Sequence, residues 1–213
     1  MTAGLHLVTD ERLGRDRLLA VVAAAAGAGV AAVQVRAKHA TAREFTDLVA
    51  AISAAVAGRA LVLVNDRVDV ALAARHVGVR VDGVHLGQDD LDPVVARTLL
   101  GPDATVGWTA HAPEHLQAAH VLPPGTVDYL GVGLVHPTTS KADGPPVLGV
   151  DGFGAFAHAA PLPCIAIGGV RLADVPGLMA AGAHGVAVVS AISEAADPGR
   201  AAADLVAAAG GAR

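Results

Sequence analysis

Val33-Gln34-Val35-Arg36-Ala37-Lys38 alternates an apolar residue with an amide or a cation. Side chains two apart on a strand share a face. One face of this stretch therefore carries Gln34, Arg36 and Lys38, and the other carries Val33, Val35 and Ala37. The apolar face suits packing against helices. The two cations aimed the other way need an anion, because unpaired buried charge is very costly. Arg offers a planar fork for phosphate oxygens and Lys a compact point charge. A salt-bridge network with nearby acids such as Asp66 is the structural alternative, and the two readings can coexist.

Working outward, the same kind of short β-branched run recurs along the chain. Strands are expected at Leu5–Val8, Ala31–Arg36, Leu61–Asn65, Gly83–Leu86, Ala104–Trp108, Val127–Val132, Cys164–Ile167 and Gly185–Val189. Ala-rich stretches of helical spacing lie between them. The clearest is Ala42–Ala57, where Phe45, Leu48, Val49, Ile52 and Val56 form one stripe. Thr41 before it and Glu44 three residues later make a capping-box signature. Strict alternation of strand and helix means parallel strands with right-handed crossovers. Polar residues gather at the C-terminal strand ends: Thr9 and Asp10; Gln34, Arg36 and Lys38; Asn65 and Asp66; His85, Gln88 and Asp90; Thr109 and His111; Thr138, Ser140 and Lys141; Gly168 and Gly169; Ser190. A closed barrel brings all these ends to one face, whereas an open sheet spreads them along an edge. The expected fold is therefore α/β, a single-domain (β/α)8 TIM barrel over residues 1–213. Ser140–Gly149, with Gly144, Pro145 and Pro146, is expected to be a mobile active-site loop.

Composition agrees with one well-packed domain. Hydrophobic residues are 53% of the 213 and charged ones 16%, which excludes a disordered chain. Aromatics are only 2%, so Ala, Val, Leu and Ile must build the core. A net charge of −5 argues against a general nucleic-acid binder. The lone Cys164 excludes an internal disulfide and fits a reducing, cytoplasmic setting. Met1–Gly14 has no apolar run of the length a secretory signal needs. Leu18–Val35 is apolar but broken by Gly27 and Gly29, and reads as a helix followed by a strand, not a membrane span. Partners are expected to be small phosphorylated molecules, and the Ala-rich outer helices leave room for a homo-oligomer.

Asn65-Asp66 ends the third strand and Gln88-Asp89-Asp90 follows the fourth. Carboxylates from adjacent strand ends can share one hard cation, and Mg²⁺ typically takes one or two carboxylates plus phosphate oxygens and water. Helix capping is the competing reading, above all for Asp89 or Asp92 before Pro93. Gly168-Gly169 and Val189-Ser190 end the last two strands, where backbone N–H groups often hold a phosphate. A second phosphate site implies a second phosphorylated substrate, or one with phosphates at both ends. The ten histidines show no metal-ligand spacing and read mostly as structural or solvated residues. Cys164, inside a strand, reads as packing.

At this point the residues resemble a family. Val33–Lys38, Val64-Asn65-Asp66, Asp82-Gly83-Val84-His85-Leu86-Gly87-Gln88-Asp89-Asp90, Pro137-Thr138-Thr139-Ser140-Lys141, Ile167–Val170 and Gly185–Ile192 resemble thiamine phosphate synthases, in the family's order and over nearly the whole chain. The resemblance implies a cytosolic barrel that uses Mg²⁺ to couple hydroxymethylpyrimidine diphosphate to hydroxyethylthiazole phosphate. It implies that Gln34, Val35, Arg36, Ala37, Lys38, Asn65, Thr109 and Lys141 hold the pyrimidine diphosphate. It implies Asp66 and Asp90 as metal ligands, and Thr138, Thr139, Ser140, Gly169, Val189 and Ser190 around the thiazole phosphate. Arg36, Lys38 and Lys141 would carry the catalytic charge. Departures from the family pattern are Ala37 in place of an acid, Thr109 for Ser, a bulky Trp108, His136 for an aromatic, Ala166 for Gly, and an atypical Ala142–Gly149.

Three other readings stay open on sequence. A thiazole tautomerase-like paralogue resembles this family but needs no diphosphate site. A non-catalytic phosphate-ligand sensor would use the same barrel without turnover. An unrelated phosphate-binding isomerase or aldolase would need a carboxylate base or a Schiff-base Lys, and no separate candidate stands out.

Overall fold

The computed structural model describes residues 3–138 and 146–210. Strands β1 (Gly4–Val8), β2 (Ala32–Val35), β3 (Leu61–Asn65), β4 (Gly83–Leu86), β5 (Thr105–Thr109), β6 (Tyr129–Val132), β7 (Cys164–Ile167) and β8 (Gly185–Val188) pair in chain order, all parallel. β8 closes on β1, with Gly185 to Val188 in register with Gly4 to Leu7. Helices α1 (Arg15–Gly27), α2 (Ala42–Val56), α3 (Val68–His76), α4 (Pro93–Leu100), α5 (Pro113–Val121), α6 (Gly149–Ala159) and α7 (Val175–Ala180) connect the strands. A 3-10 turn at Leu172–Asp174 precedes α7, and the short α8 (Ser190–Ser193) and α9 (Pro198–Ala208) follow β8. The fold is the (β/α)8 barrel expected from the alternation. Ala31, Arg36, Ala104, Val127, Asp128 and Val189 fall just outside the strands, a difference at the ends only. No helix among the described residues is long and apolar enough to cross a membrane.

Alternation along each strand sorts the core into two layers. Val33, Val35, Val62, Val64, Val84, Val106, Leu130 and Val186 face outward and pack against the helices. Val8, Ala32, Leu63, Tyr129, Ile165 and Ala187 form a separate cluster inside the barrel. Each such side chain contributes about 1.5–3 kcal/mol when fully buried. Trp108 belongs to the outer layer and is 7% exposed, so its bulk stays out of the barrel mouth. α2 shows the expected capping box, with the Thr41 side chain accepting from the Glu44 N–H and Glu44 accepting from the Thr41 N–H. Phe45, Val49, Ile52 and Val56 are buried as its stripe requires, and Leu48 packs partly against them.

Candidate active site

The chain leaving β2 is tied to β1. The Arg36 N–H donates to the Thr9 hydroxyl at 2.9 Å. This tie holds Arg36 at the mouth, where its side chain is 24% exposed. Its Nη1 lies 3.9 Å from Oε1 of Glu11, a loose pair with a residue that no sequence motif marks. Gln34 is buried inside the barrel and Lys38 is exposed beyond Arg36. The polar face read from the alternation is thus present. Val35 and Ala37 pack in the outer core, so only their backbone is available to a ligand at the mouth. Asp10 has a different part from the one expected of a rim residue. Its carboxylate is gripped by the Arg12 guanidinium at 2.6–3.1 Å, and that hydrogen bond holds it below the usual carboxylate range.

Asp66 and Asp90 come together at the ends of β3 and β4. Their carboxyls lie close enough for each to act on the other's charge. Burial first, then the proximity and charge of Asp90, push the Asp66 carboxyl up to about 6, while Lys38 and Arg36 pull it down. Two carboxylates at this separation repel when both are ionised, and a shared proton or a cation relieves that. Asp66 is also held at φ 63°, a left-handed conformation that costs a residue with a Cβ about 1 kcal/mol. Its N–H donates to the His85 carbonyl at 2.8 Å, which fixes β3 against β4 there. Asp90 has a second task, accepting from the Gly87 N–H at 2.6 Å in the turn after β4. Helix capping belongs to Asp92, which accepts from the Val94 and Val95 N–H groups, and not to Asp66. Among the described residues, no group of three or more His, Cys, Asp or Glu could hold a metal. A two-carboxylate site still suits Mg²⁺, which fills its shell with phosphate oxygens and water.

Asn65 and Thr109 complete this side of the mouth. Asn65 is 9% exposed at the last position of β3. The Thr109 hydroxyl lies 3.0 Å from Nε2 of His85, and its carbonyl accepts from Gln88 Nε2. His85 reaches the other way, through Nδ1, to the Tyr129 hydroxyl at 3.0 Å. Tyr129 is hydrogen-bonded to Gln34, and burial pushes its phenol pKa up. His6 meets the Tyr129 ring edge-on at 5.5 Å. Sequence reasoning passed over Tyr129 and gave His85 no specific task. The signal was there: Leu130 and Val132 face outward, so Tyr129 and Gly131 must face inward on the same strand.

The opposite side of the rim is built from backbone. Gly169 has φ 68°, and a Cβ there would fall 2.8 Å from the Cβ of His136 and 3.0 Å from its carbonyl. The His136 N–H donates to the Gly168 carbonyl at 2.8 Å, and its Nε2 lies 3.0 Å from Asp174 Oδ2. Beside this turn is a cavity of about 600 Å³ whose lining includes Thr138, Gly169 and Ser190 together with Arg171, Glu194 and Asp204. Val189 precedes α8 and Ser190 opens it. Thr139, Ser140, Lys141 and most of the expected loop lie outside the described residues. Elsewhere, the His111 N–H donates to Nδ1 of His115 at 3.2 Å. Burial pushes the Cys164 thiol up to about 12, which agrees with a packing role.

A family model described as thiamine monophosphate synthase matches residues 5–192. A thiamine-phosphate synthase of Salinispora tropica is 49% identical over 205 residues, covering 95% of each chain. One of Azorhizobium caulinodans is 42% identical over 195 residues, covering 91% of this chain and 88% of that one. Among solved structures, thiamine phosphate pyrophosphorylase from Pyrococcus furiosus superposes with a TM-score of 0.82 at 30% identity, covering 98% of this chain and 96% of that one.

Proposed function

The chain belongs to the thiamine monophosphate synthase family, and on that premise we propose that it transfers a pyrimidinylmethyl group. The substrates are 4-amino-2-methyl-5-hydroxymethylpyrimidine diphosphate and 4-methyl-5-(2-hydroxyethyl)thiazole phosphate, and the products are thiamine phosphate and diphosphate. The observation that carries this reading is the Asp66–Asp90 pair beside Arg36 and Lys38. A diphosphate and a hard cation satisfy all four charges at once, which neither could do alone.

The bond that breaks joins the pyrimidine methylene carbon to the bridging oxygen, and its electron pair leaves with diphosphate. The aminopyrimidine ring can support the positive charge left on the methylene, so a dissociative path is favoured. The thiazole nitrogen lone pair then forms the new C–N bond. Arg36 and Lys38 neutralise charge building on the leaving oxygen, the electrostatic effect that usually dominates such catalysis. Lys141 is assigned the same task by its place in the family motif. Mg²⁺, held by Asp66 and Asp90, would add Lewis-acid neutralisation of the diphosphate when bound. Gln34, Asn65 and Thr109 orient the pyrimidine, with Val35 and Ala37 contributing backbone only. Thr138, Thr139, Ser140, Gly169, Val189 and Ser190 surround the thiazole phosphate. No protein nucleophile is needed, and much of the rate comes from holding two substrates in line. The setting proposed is cytoplasmic, where a free Cys164 is ordinary.

The test is to incubate the protein with both substrates and Mg²⁺ and detect thiamine phosphate by oxidation to its fluorescent thiochrome. Product that requires both substrates and metal, and is lost with EDTA, supports the assignment. Folded protein that forms none would sink it; isomerisation of the thiazole would then point to a tautomerase, and binding without turnover to a sensor.

A further inference from the structure

The inference rests on the synthase reading and concerns residues behind the pyrimidine site. Gln34 on β2, Tyr129 on β6, His85 on β4 and Thr109 on β5 form one hydrogen-bonded file across the barrel interior. Tyr129 is 1% exposed and His85 8%, so the bond between these two is shielded from water. The barrel is shaped to admit the file. A Cβ at Gly107 would fall 2.2 Å from Tyr129 Cζ and 2.5 Å from His85 Nδ1. A Cβ at Gly131 would fall 2.8 Å from His85 Cε1. Two inward-facing glycines on adjacent strands thus make the space that the Tyr129–His85 pair fills.

We propose that Tyr129 and His85 are positioning residues that turn the Thr109 hydroxyl into a fixed hydrogen-bond donor toward the pyrimidine ring. The direction follows from counting protons along the file. Gln34, buried against the phenol, can supply an amide N–H to its oxygen. The phenol keeps its one proton, and among the described residues His85 Nδ1, 3.0 Å away, is placed to accept it. His85 is then the tautomer with its proton on Nε2, and it donates that proton to Thr109 Oγ1. Thr109, having accepted, has its own proton free to point to the mouth. There it meets an acceptor, a ring nitrogen, and not the exocyclic amine, which is itself a donor. The file also makes Gln34 and Thr109, on different strands, answer to a single phenol. Pyrimidine recognition is therefore cooperative between them.

Two measurements test this. In ¹⁵N-labelled protein without substrates, long-range ¹⁵N–¹H spectra report which His85 nitrogen carries the proton, the signal being assigned by its loss in His85→Gln. The proton is expected on Nε2 in the wild type, and a mixture of tautomers in Tyr129→Phe. In the thiochrome assay, Tyr129→Phe is expected to raise KM for the pyrimidine diphosphate about tenfold, the cost of one unsatisfied buried partner. KM for the thiazole phosphate stays unchanged, and adding Thr109→Val to Tyr129→Phe costs much less than Thr109→Val alone. A wild-type His85 protonated on Nδ1, or a Tyr129→Phe variant in which both KM values rise together, would overturn the proposal. Wild-type protein that makes no thiamine phosphate would overturn the synthase reading, and with it the substrate half of this one, whatever the tautomer.

Discussion

The two halves of the barrel rim offer anions different things. From β2 to β4 the groups are side chains: Arg36 and Lys38 against the paired carboxylates of Asp66 and Asp90. From β6 to β8 they are backbone and space: Gly169 in a left-handed turn, Ser190 at the start of α8, and a cavity of about 600 Å³. Among the described residues, the charged side chains around that cavity are one cation, Arg171, against Glu194 and Asp204. The thiazole phosphate proposed for this side would rely on N–H groups more than on these charges. On the proposed function, the first half would meet the ligand whose charge changes during reaction, where strong, ionic contacts can strengthen as charge develops. The second, on the same proposal, would have a phosphate that only has to be held.

Asp66→Asn should separate the halves most sharply. Asn tolerates the left-handed φ of 63° and keeps the size of the side chain. Loss of one metal carboxylate should lower kcat/KM about a thousandfold, several kcal/mol of charge stabilisation. The same change removes the repulsion between paired carboxylates, so the metal-free variant should melt higher than metal-free wild type at pH 7.5. Binding of thiazole phosphate alone, followed by calorimetry, should not change. A variant that loses both activity and stability would show that Asp66 is a structural anchor.

Gly169→Val is the complementary break. The added Cβ would meet His136 at 2.8 Å, and a β-branched residue is strongly disfavoured at φ 68°. KM for thiazole phosphate should rise at least about tenfold while pyrimidine diphosphate binds as before. Equal loss on both sides would mean that the two halves are one mechanical unit.

The difference also explains what could be read from sequence. Period-two alternation placed Gln34 and Arg36 inward and Val33 and Val35 outward, because strand geometry leaves no third choice. The capping box of Thr41 and Glu44 and the stripe from Phe45 to Val56 are equally local, and both are present. What is not local was missed. Asp10 is the one local exception, since it looks like any other strand-end carboxylate although Arg12, two residues on, holds it. The approach of Glu11 to Arg36 joins two loops that no repeat connects. The Tyr129–His85 contact spans 44 residues and depends on glycines in two other positions, so it needs the barrel closed before it can be seen.

Mg²⁺ binding without substrates should depend on pH through the first half alone. Asp66 is pushed up to about 6 in the metal-free fold, against an ordinary value of 3.8. A raised carboxyl pKa stabilises the fold below its ordinary value, and that contribution is lost as pH rises through about 6. The metal needs the ionised pair, so its affinity runs the other way. It should weaken about tenfold between pH 7.5 and 5.0, with protons released on binding near pH 6. Calorimetry in two buffers of different ionisation enthalpy reads both effects. An affinity flat across that range would mean that the pair is not where the metal binds.

The smallest effect expected is at Glu11, and it sharpens the comparison because its sign is opposite. Glu11 lies 3.9 Å from Arg36, with each side chain about a quarter exposed, 23% and 24%. Exposed ion pairs are worth about 0–1 kcal/mol, so this carboxylate neither locks Arg36 nor is negligible to it. A diphosphate arriving at Arg36 meets Glu11 as a competitor of like charge. Glu11→Gln removes the competing charge and keeps the acceptor that the His39 N–H approaches at 3.4 Å. KM for the pyrimidine diphosphate should therefore fall, by about two- to fivefold at low salt. The gain should shrink as ionic strength rises, since the Debye length falls from about 30 Å at 0.01 M to about 10 Å at 0.1 M and the pull between partly exposed charges weakens with it. Thiazole phosphate kinetics should not move. A rise in pyrimidine KM instead would mean that Glu11 orients Arg36 for the ligand, and that this half of the rim is preorganised by its own acids as well as charged by its cations.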